Sequence, residues 1–173
     1  MKALRRRIER LFEWISAVLL LALAVEVLVG IIFRATGRPL VWYDEVASVM
    51  LAWLTYYASA LAALKRAHIG FPGLVNALPR GGRIVALMVR EVAVIGFFVV
   101  LAVWGVHVMQ MLGGETLVTV DVPVRLTQSV IPIGAALFVL AELLNLPDQI
   151  AWAQGRPVAP TAAAPDAAKE LSH

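Results

Sequence analysis

Apolar residues along this chain gather into four long blocks, at 11–33, 46–64, 92–112 and 129–146, parted by shorter polar or Gly- and Pro-containing breaks. A bilayer core about 30 Å thick needs roughly 20 apolar residues as a helix. Each block therefore predicts one membrane-spanning helix. The first is too long for the apolar core of a signal peptide, about 7–15 residues, and no small-residue cleavage site follows it, so it reads as a retained anchor. Ahead of it, Leu4, Ile8, Leu11, Phe12 and Ile15 share one helical face while Arg5, Arg6, Arg7 and Glu9 lie largely elsewhere. That pattern predicts a basic amphipathic N-terminal helix on the membrane surface, bending into span one. The predicted fold is all-α and integral to the membrane. It comprises a four-helix domain at 1–150 and a disordered, Ala- and Pro-rich tail at 151–173.

The breaks carry the remaining signals. The 68–83 break holds Pro and Gly enough to rule out one long helix through spans two and three, with a short interfacial helix expected at 73–78. The 113–128 segment is partly apolar and β-prone, which predicts that it packs on something. Composition agrees with the blocks: 61% of residues are hydrophobic and 16% charged, against about 25% charged in average soluble domains. Cysteine is absent, so disulfides, thiolate metal sites and Cys nucleophiles are excluded.

Charge gives the orientation. Lys2, Arg5, Arg6, Arg7 and Arg10 precede span one, and Lys65, Arg66, Arg80, Arg83 and Arg90 lie between spans two and three. The other two connections carry only Arg34, Arg38 and Arg125. The positive-inside rule then places both termini in the cytoplasm. Span two opens on the outer side with Trp42, Tyr43, Asp44 and Glu45. The aromatics suit the headgroup level, and the carboxylates suit a helix N-terminus, where free N–H groups and the dipole favour anions. This account is structural and implies no chemistry.

Ionisable groups inside a membrane are functional candidates by default. Glu26 lies within span one; Glu13, Glu91 and Glu142 lie nearer the cytoplasmic ends. Glu26 reads either as an ion or proton site or as a carboxyl that fixes helix packing, and the lack of a neighbouring charged cluster favours packing. His107 lies at a similar depth, so the two are expected to approach and satisfy each other. Paired His ligands would suggest haem, but His68 falls at the cytoplasmic end and His107 roughly 25 Å above the start of span three. They cannot share one iron. No cofactor, metal site, catalytic motif or nucleic-acid footprint emerges.

One longer stretch is more specific. "RATGRPLVWYDEVASVMLAWLTYYASALAALKRAHIGF", with "IPIG" opening span four, resembles the small permease subunit of tripartite ATP-independent periplasmic (TRAP) transporters, the DctQ type. The residues that carry the resemblance are Arg34, Pro39, Trp42, Glu45, Lys65, Arg66, His68 and Ile69, with Pro132 inside the "IPIG". Ala58 and Ser59 stand where the family often has a Gly–Ala pair, and Gly70 and Phe71 where a polar or acidic position often follows. The resemblance implies a non-enzymatic scaffold in the bacterial inner membrane. Its implied partners are a large many-span permease subunit and a periplasmic solute-binding protein, in ion-gradient-coupled uptake of a carboxylate-type solute. The 39–45 edge and the 113–128 loop are the expected docking surface. The rival readings are the small subunit of another tripartite carboxylate transporter, a haem-binding electron carrier, and an independent channel.

Overall fold

The computed structural model describes residues 2–66 and 78–155. His68, nearly all of the expected 73–78 helix and the tail beyond 155 lie outside the described residues. The chain forms α1 (Lys2–Ala35), α2 (Tyr43–Lys65), α3 (Arg80–Met111), the short α4 (Val124–Gln128) and α5 (Val130–Ala153). Among the described residues four spans are long and apolar enough to cross a membrane, α4 and α5 counting together as one. Among the described residues the β-structure is a single isolated bridge, Thr116 to Pro123.

Three helices outrun the apolar blocks. The basic N-terminal stretch is not separated from span one: α1 is one helix of 34 residues, about 51 Å long on helical rise. α3 begins at Arg80, inside the expected loop. Pro79 holds the extended N-cap position, and Gly81 and Gly82 fall in the first turn. The periodic apolar residues Ile84, Leu87 and Met88 then carry the helix onward. α5 was expected to stop before Pro147 and instead continues to Ala153 with that proline inside it. A proline removes one ladder bond, and membrane helices tolerate this where neighbouring helices re-satisfy the freed groups. The carbonyl that loses its donor is that of Leu143; two residues on, Arg66 donates to the Asn145 carbonyl at 2.9 Å and ties α5 to α2 across the interruption.

The spans pack as an open row in the order α1, α2, α5, α3, each strongly packed pair being neighbours in that row. α1 and α3 are its two edges. The core sits near the N-terminal end of α1, where Phe12, Ala60, Ala63, Leu64, Phe138 and Ala141 form one buried cluster. Phe98 stacks on Phe138 with centroids 3.9 Å apart. Small residues bring the helices close. A Cβ built on Gly30 would lie 2.5 Å from the Tyr43 ring, and one on Gly105 would lie 3.0 Å from Pro132. Large apolar side chains such as Leu21, Leu28 and Ile32 on α1, and Val92, Phe97 and Trp104 on α3, stay exposed. Patches of this kind are rare on soluble monomers and ordinary where lipid or a partner helix is the solvent.

Candidate functional site

The chain reversals gather most of the family-motif residues at one end of the row. α1 closes with Gly37 at φ +75°, its N–H reaching the Arg34 carbonyl at 3.2 Å while Arg38 N–H reaches Phe33. Gly there takes the left-handed conformation without a Cβ penalty. Arg34 occupies the last turn of α1, where a cation suits the dipole, and Pro39 is exposed in the connector to α2. Trp42 holds the N-cap of α2 without a side-chain cap bond. Pro132 enters the same end from α5, against Gly105.

Glu45 organises this end. From the first turn of α2 its carboxylate accepts the Val118 N–H and the Thr119 N–H, both at 2.8 Å, and the Thr119 hydroxyl. Three donors of a distant loop thus converge on one carboxylate. The loop is shaped to present them: Leu117 N–H donates to Val122, and Val124 N–H to Glu115, each at 2.9 Å. A second tie lies deeper, where Trp53 Nε1–H donates to the Thr127 carbonyl at 3.0 Å. The resulting surface is partly apolar, with Val118 95% exposed at the tip and Val41 78% exposed on the connector. The 39–45 edge and the 113–128 loop, expected as one surface, are physically joined here.

Glu26 and His107 do not meet. Glu26 sits on the seam with α2, one turn from Gly30, and both its carboxylate oxygens lack a hydrogen-bond partner among the described residues. His107 is exposed on α3, at the other edge of the row, beside Trp104 with ring centroids 5.9 Å apart. Equal depth does not make two residues neighbours when their helices are not.

The opposite end carries a polar network that residue types alone did not predict. Asn145 is fully buried and donates to the Ala63 carbonyl at 2.8 Å. Arg5 donates to the Leu64 carbonyl at 2.9 Å and to Asp148 at 3.3 Å. Arg66, held at φ 56° as the C-cap of α2, approaches Asp148 to 3.8 Å. Arg90 bonds Glu142 at 3.2 Å and lies 2.7 Å from Glu91 as an ion pair. Lys65 and Glu13 pair at 2.5 Å. The signal for Asn145 and Gln149 was their spacing of four on one helix face, across the end of the 129–146 apolar block. The proline between them hid it by suggesting that the helix had ended.

Comparison with known families gives a match over most of the chain. The family described as tripartite ATP-independent periplasmic transporters, DctQ component, matches residues 23–151, from the middle of α1 to the end of α5. No curated protein matches the chain.

Proposed function

Because this chain belongs to the DctQ family of TRAP transporter components, we propose that it is the fixed membrane scaffold of such a transporter. It is a multi-pass membrane subunit of a transport system rather than a member of an enzyme family. In the proposed role it holds a large many-span permease subunit, which moves a carboxylate-type solute inwards on an ion gradient after a periplasmic binding protein delivers it.

The observation that carries this reading is the open row. An anionic solute crossing hydrocarbon unpaired would meet a penalty of several kcal/mol. The charged groups of the described row cluster at its two ends, and Glu26 is a lone acid between them. A row of four helices also leaves two broad apolar faces for a larger partner. Close helix contact needs small residues, and Gly30, Gly105 and Gly134 are already used within the chain. Ser59 is half-buried. Gly96 is exposed, with nothing near the position a Cβ would take, so the outward face of α3 is the proposed contact with the large subunit.

Two experiments test this. The isolated chain in vesicles should take up no organic acid, and uptake should appear only with the large subunit and binding protein together. Gly96→Trp should reduce copurification with the large subunit while leaving helical content and monodispersity unchanged. Uptake by the chain alone, or undiminished copurification of Gly96→Trp, would refute the corresponding half of the proposal.

The proposed orientation places both termini in the cytoplasm of a bacterium, and follows from the Lys and Arg asymmetry. Single cysteines at Gly114 and Gly81, both with open space around the substituted position, give the readout. The first should react with an impermeant thiol reagent in intact cells and the second only after permeabilisation. The reverse pattern would invert the topology.

A further inference from the structure

α1 is longer than a bilayer core, and its excess lies at one end. Trp14 and Arg34 are twenty residues apart on this helix, about 30 Å by helical rise, which matches the hydrocarbon thickness. The turns ahead of Trp14 therefore project into the headgroup layer and beyond it. Two opposite faces of α1 continue into that projection. Arg5 extends the face of Phe12 and Ser16 and is held inside the row, by the Leu64 carbonyl and Asp148. Arg7 and Arg10 extend the other face, a stripe of Trp14, Val18, Leu21, Val25, Leu28 and Ile32, each more than half exposed. Arg6, Arg7 and Arg10 are themselves exposed.

Charge at this end is unbalanced. Residues 5–13, 65–66, 80–91 and 142–155 carry nine cations against five acids. Lys65 pairs with Glu13, Arg5 and Arg66 with Asp148, and Arg90 with Glu91 and Glu142. Every one of these acids except Glu9 is thus engaged. Glu9 is half-buried, lies roughly 160° around the helix from Arg7, and neighbours Arg6 at the three-residue spacing that allows side chains to meet. Arg7 and Arg10 take part in none of the ion pairs among the described residues. They are three residues apart on an exposed face, where like charges repel, so an anion between them relieves both. Arg80 and Arg83 belong to α3, the other edge of the row.

We propose that Arg7 and Arg10, with Arg6 at their margin, bind the headgroups of anionic phospholipids, and that Trp14 fixes their depth at the edge of the hydrocarbon. Arg10 stands about 6 Å beyond Trp14 and Arg7 about 10 Å, across a headgroup layer roughly 5–8 Å thick. A guanidinium on its long stem reaches a lipid phosphate from either position. The phosphate of a zwitterionic lipid carries its own cation, whereas a net-anionic headgroup leaves its charge for the arginines. Lipid is the occupant that the stripe selects. Close contact with a partner helix calls for small residues, and the stripe from Trp14 to Ile32 is large and apolar at every position.

The test uses the full chain alone in vesicles, so its outcome is separate from that of the scaffold reading and from the orientation. The chain has no cysteine. A fluorophore can therefore be placed at Leu11→Cys, beside the arginines, or at Val89→Cys on α3, positions 56% and 64% exposed. The vesicles are phosphatidylcholine with a trace of phosphatidylglycerol or phosphatidylcholine bearing a nitroxide quencher close to the headgroup. At Leu11 the phosphatidylglycerol quencher should be enriched about fivefold over the phosphatidylcholine one, the attraction expected of one arginine at an anionic headgroup, and at Val89 by less. High salt should weaken the enrichment. Arg7→Gln combined with Arg10→Gln should abolish it at Leu11 with the circular dichroism spectrum unchanged. Equal quenching by the two lipids at Leu11, enrichment no greater than at Val89, indifference to salt, or enrichment that survives the double glutamine variant would each overturn the proposal. So would weaker copurification of that variant with the large subunit when the chain alone shows no lipid preference, which would assign the face to protein.

Discussion

Glu45→Ala should release the 113–123 loop from α2 and cut solute uptake by the assembled transporter, with the four spans still packed. The side chain accepts three donors, and Ala accepts none. The loop lies at the end of the row and contributes nothing to the core cluster of Phe12, Leu64 and Phe138, so its release is a local opening rather than global unfolding. Amide exchange at Val118 and Thr119 should quicken by roughly tenfold or more. A graded series separates the contact from mere loss of charge. Glu45→Gln keeps one acceptor oxygen but turns an amide NH2 towards donors, so it should lie between wild type and Ala. Thr119→Val loses the hydroxyl donor and keeps both backbone bonds, so it should be mildest. If this surface meets the binding protein, uptake should fall in the same order as loop protection while copurification with the large subunit holds. Unchanged exchange at Val118 in Glu45→Ala would show that the carboxylate does not hold the loop in solution.

Glu45 also shows what could be read from the sequence. Its position at the start of a span was evident, and an acid in the first turn explained itself through the helix dipole. That local account was sufficient and incomplete, since the donors lie in a segment 73 and 74 residues away. The clue to their meeting was the partly apolar, β-prone 113–128 segment, which had to pack on something. The four spans were legible because their signal is length and hydropathy, which one block reveals by itself. Helix order was not, because it depends on which face of each span meets which. Even there α1 left a trace: Ile8, Phe12, Ser16, Leu23, Glu26 and Gly30 recur at helical spacing and form its less exposed face. Read as a seam, that stripe assigns Glu26 to the α1–α2 contact and away from His107. Helix ends were misread where a local breaker met a tertiary partner. Gly81 and Gly82 were read as loop although they sit in a first turn, and Pro147 as a stop although Arg66 and Asn145 tie the helix to α2 around it.

The row has one seam that both halves depend on, and Gly134 is its narrowest point. α1 reaches the rest mainly through α2, and α3 mainly through α5, so the contact of α2 with α5 joins the two pairs. A Cβ at Gly134 would lie 2.7 Å from both Cβ and Cδ1 of Tyr56 and 2.9 Å from Cγ. The first of these atoms is fixed to the backbone of α2, so a rotamer change of Tyr56 cannot clear the clash and the helices must separate. Overpacking of this kind costs about 1–3 kcal/mol in a well-packed core. In a bilayer the loss falls on the close packing that drives helix association, since lipid tails are as apolar as the side chains. Gly134→Val should therefore lower the midpoint of thermal unfolding in detergent and weaken crosslinking between cysteines placed across α2 and α5. Gly105→Ala, facing the Pro132 ring at 3.0 Å and Ile131 at 3.1 Å, should cost less, because only a new methyl must be fitted. Gly96→Ala meets open space and replaces the poorest ordinary helix former with the best, so it should hold or raise stability in the isolated chain. A Gly134→Val protein as stable as Gly96→Ala would mean that α2 and α5 do not pack through this residue, and the open row would have to be rebuilt around another contact.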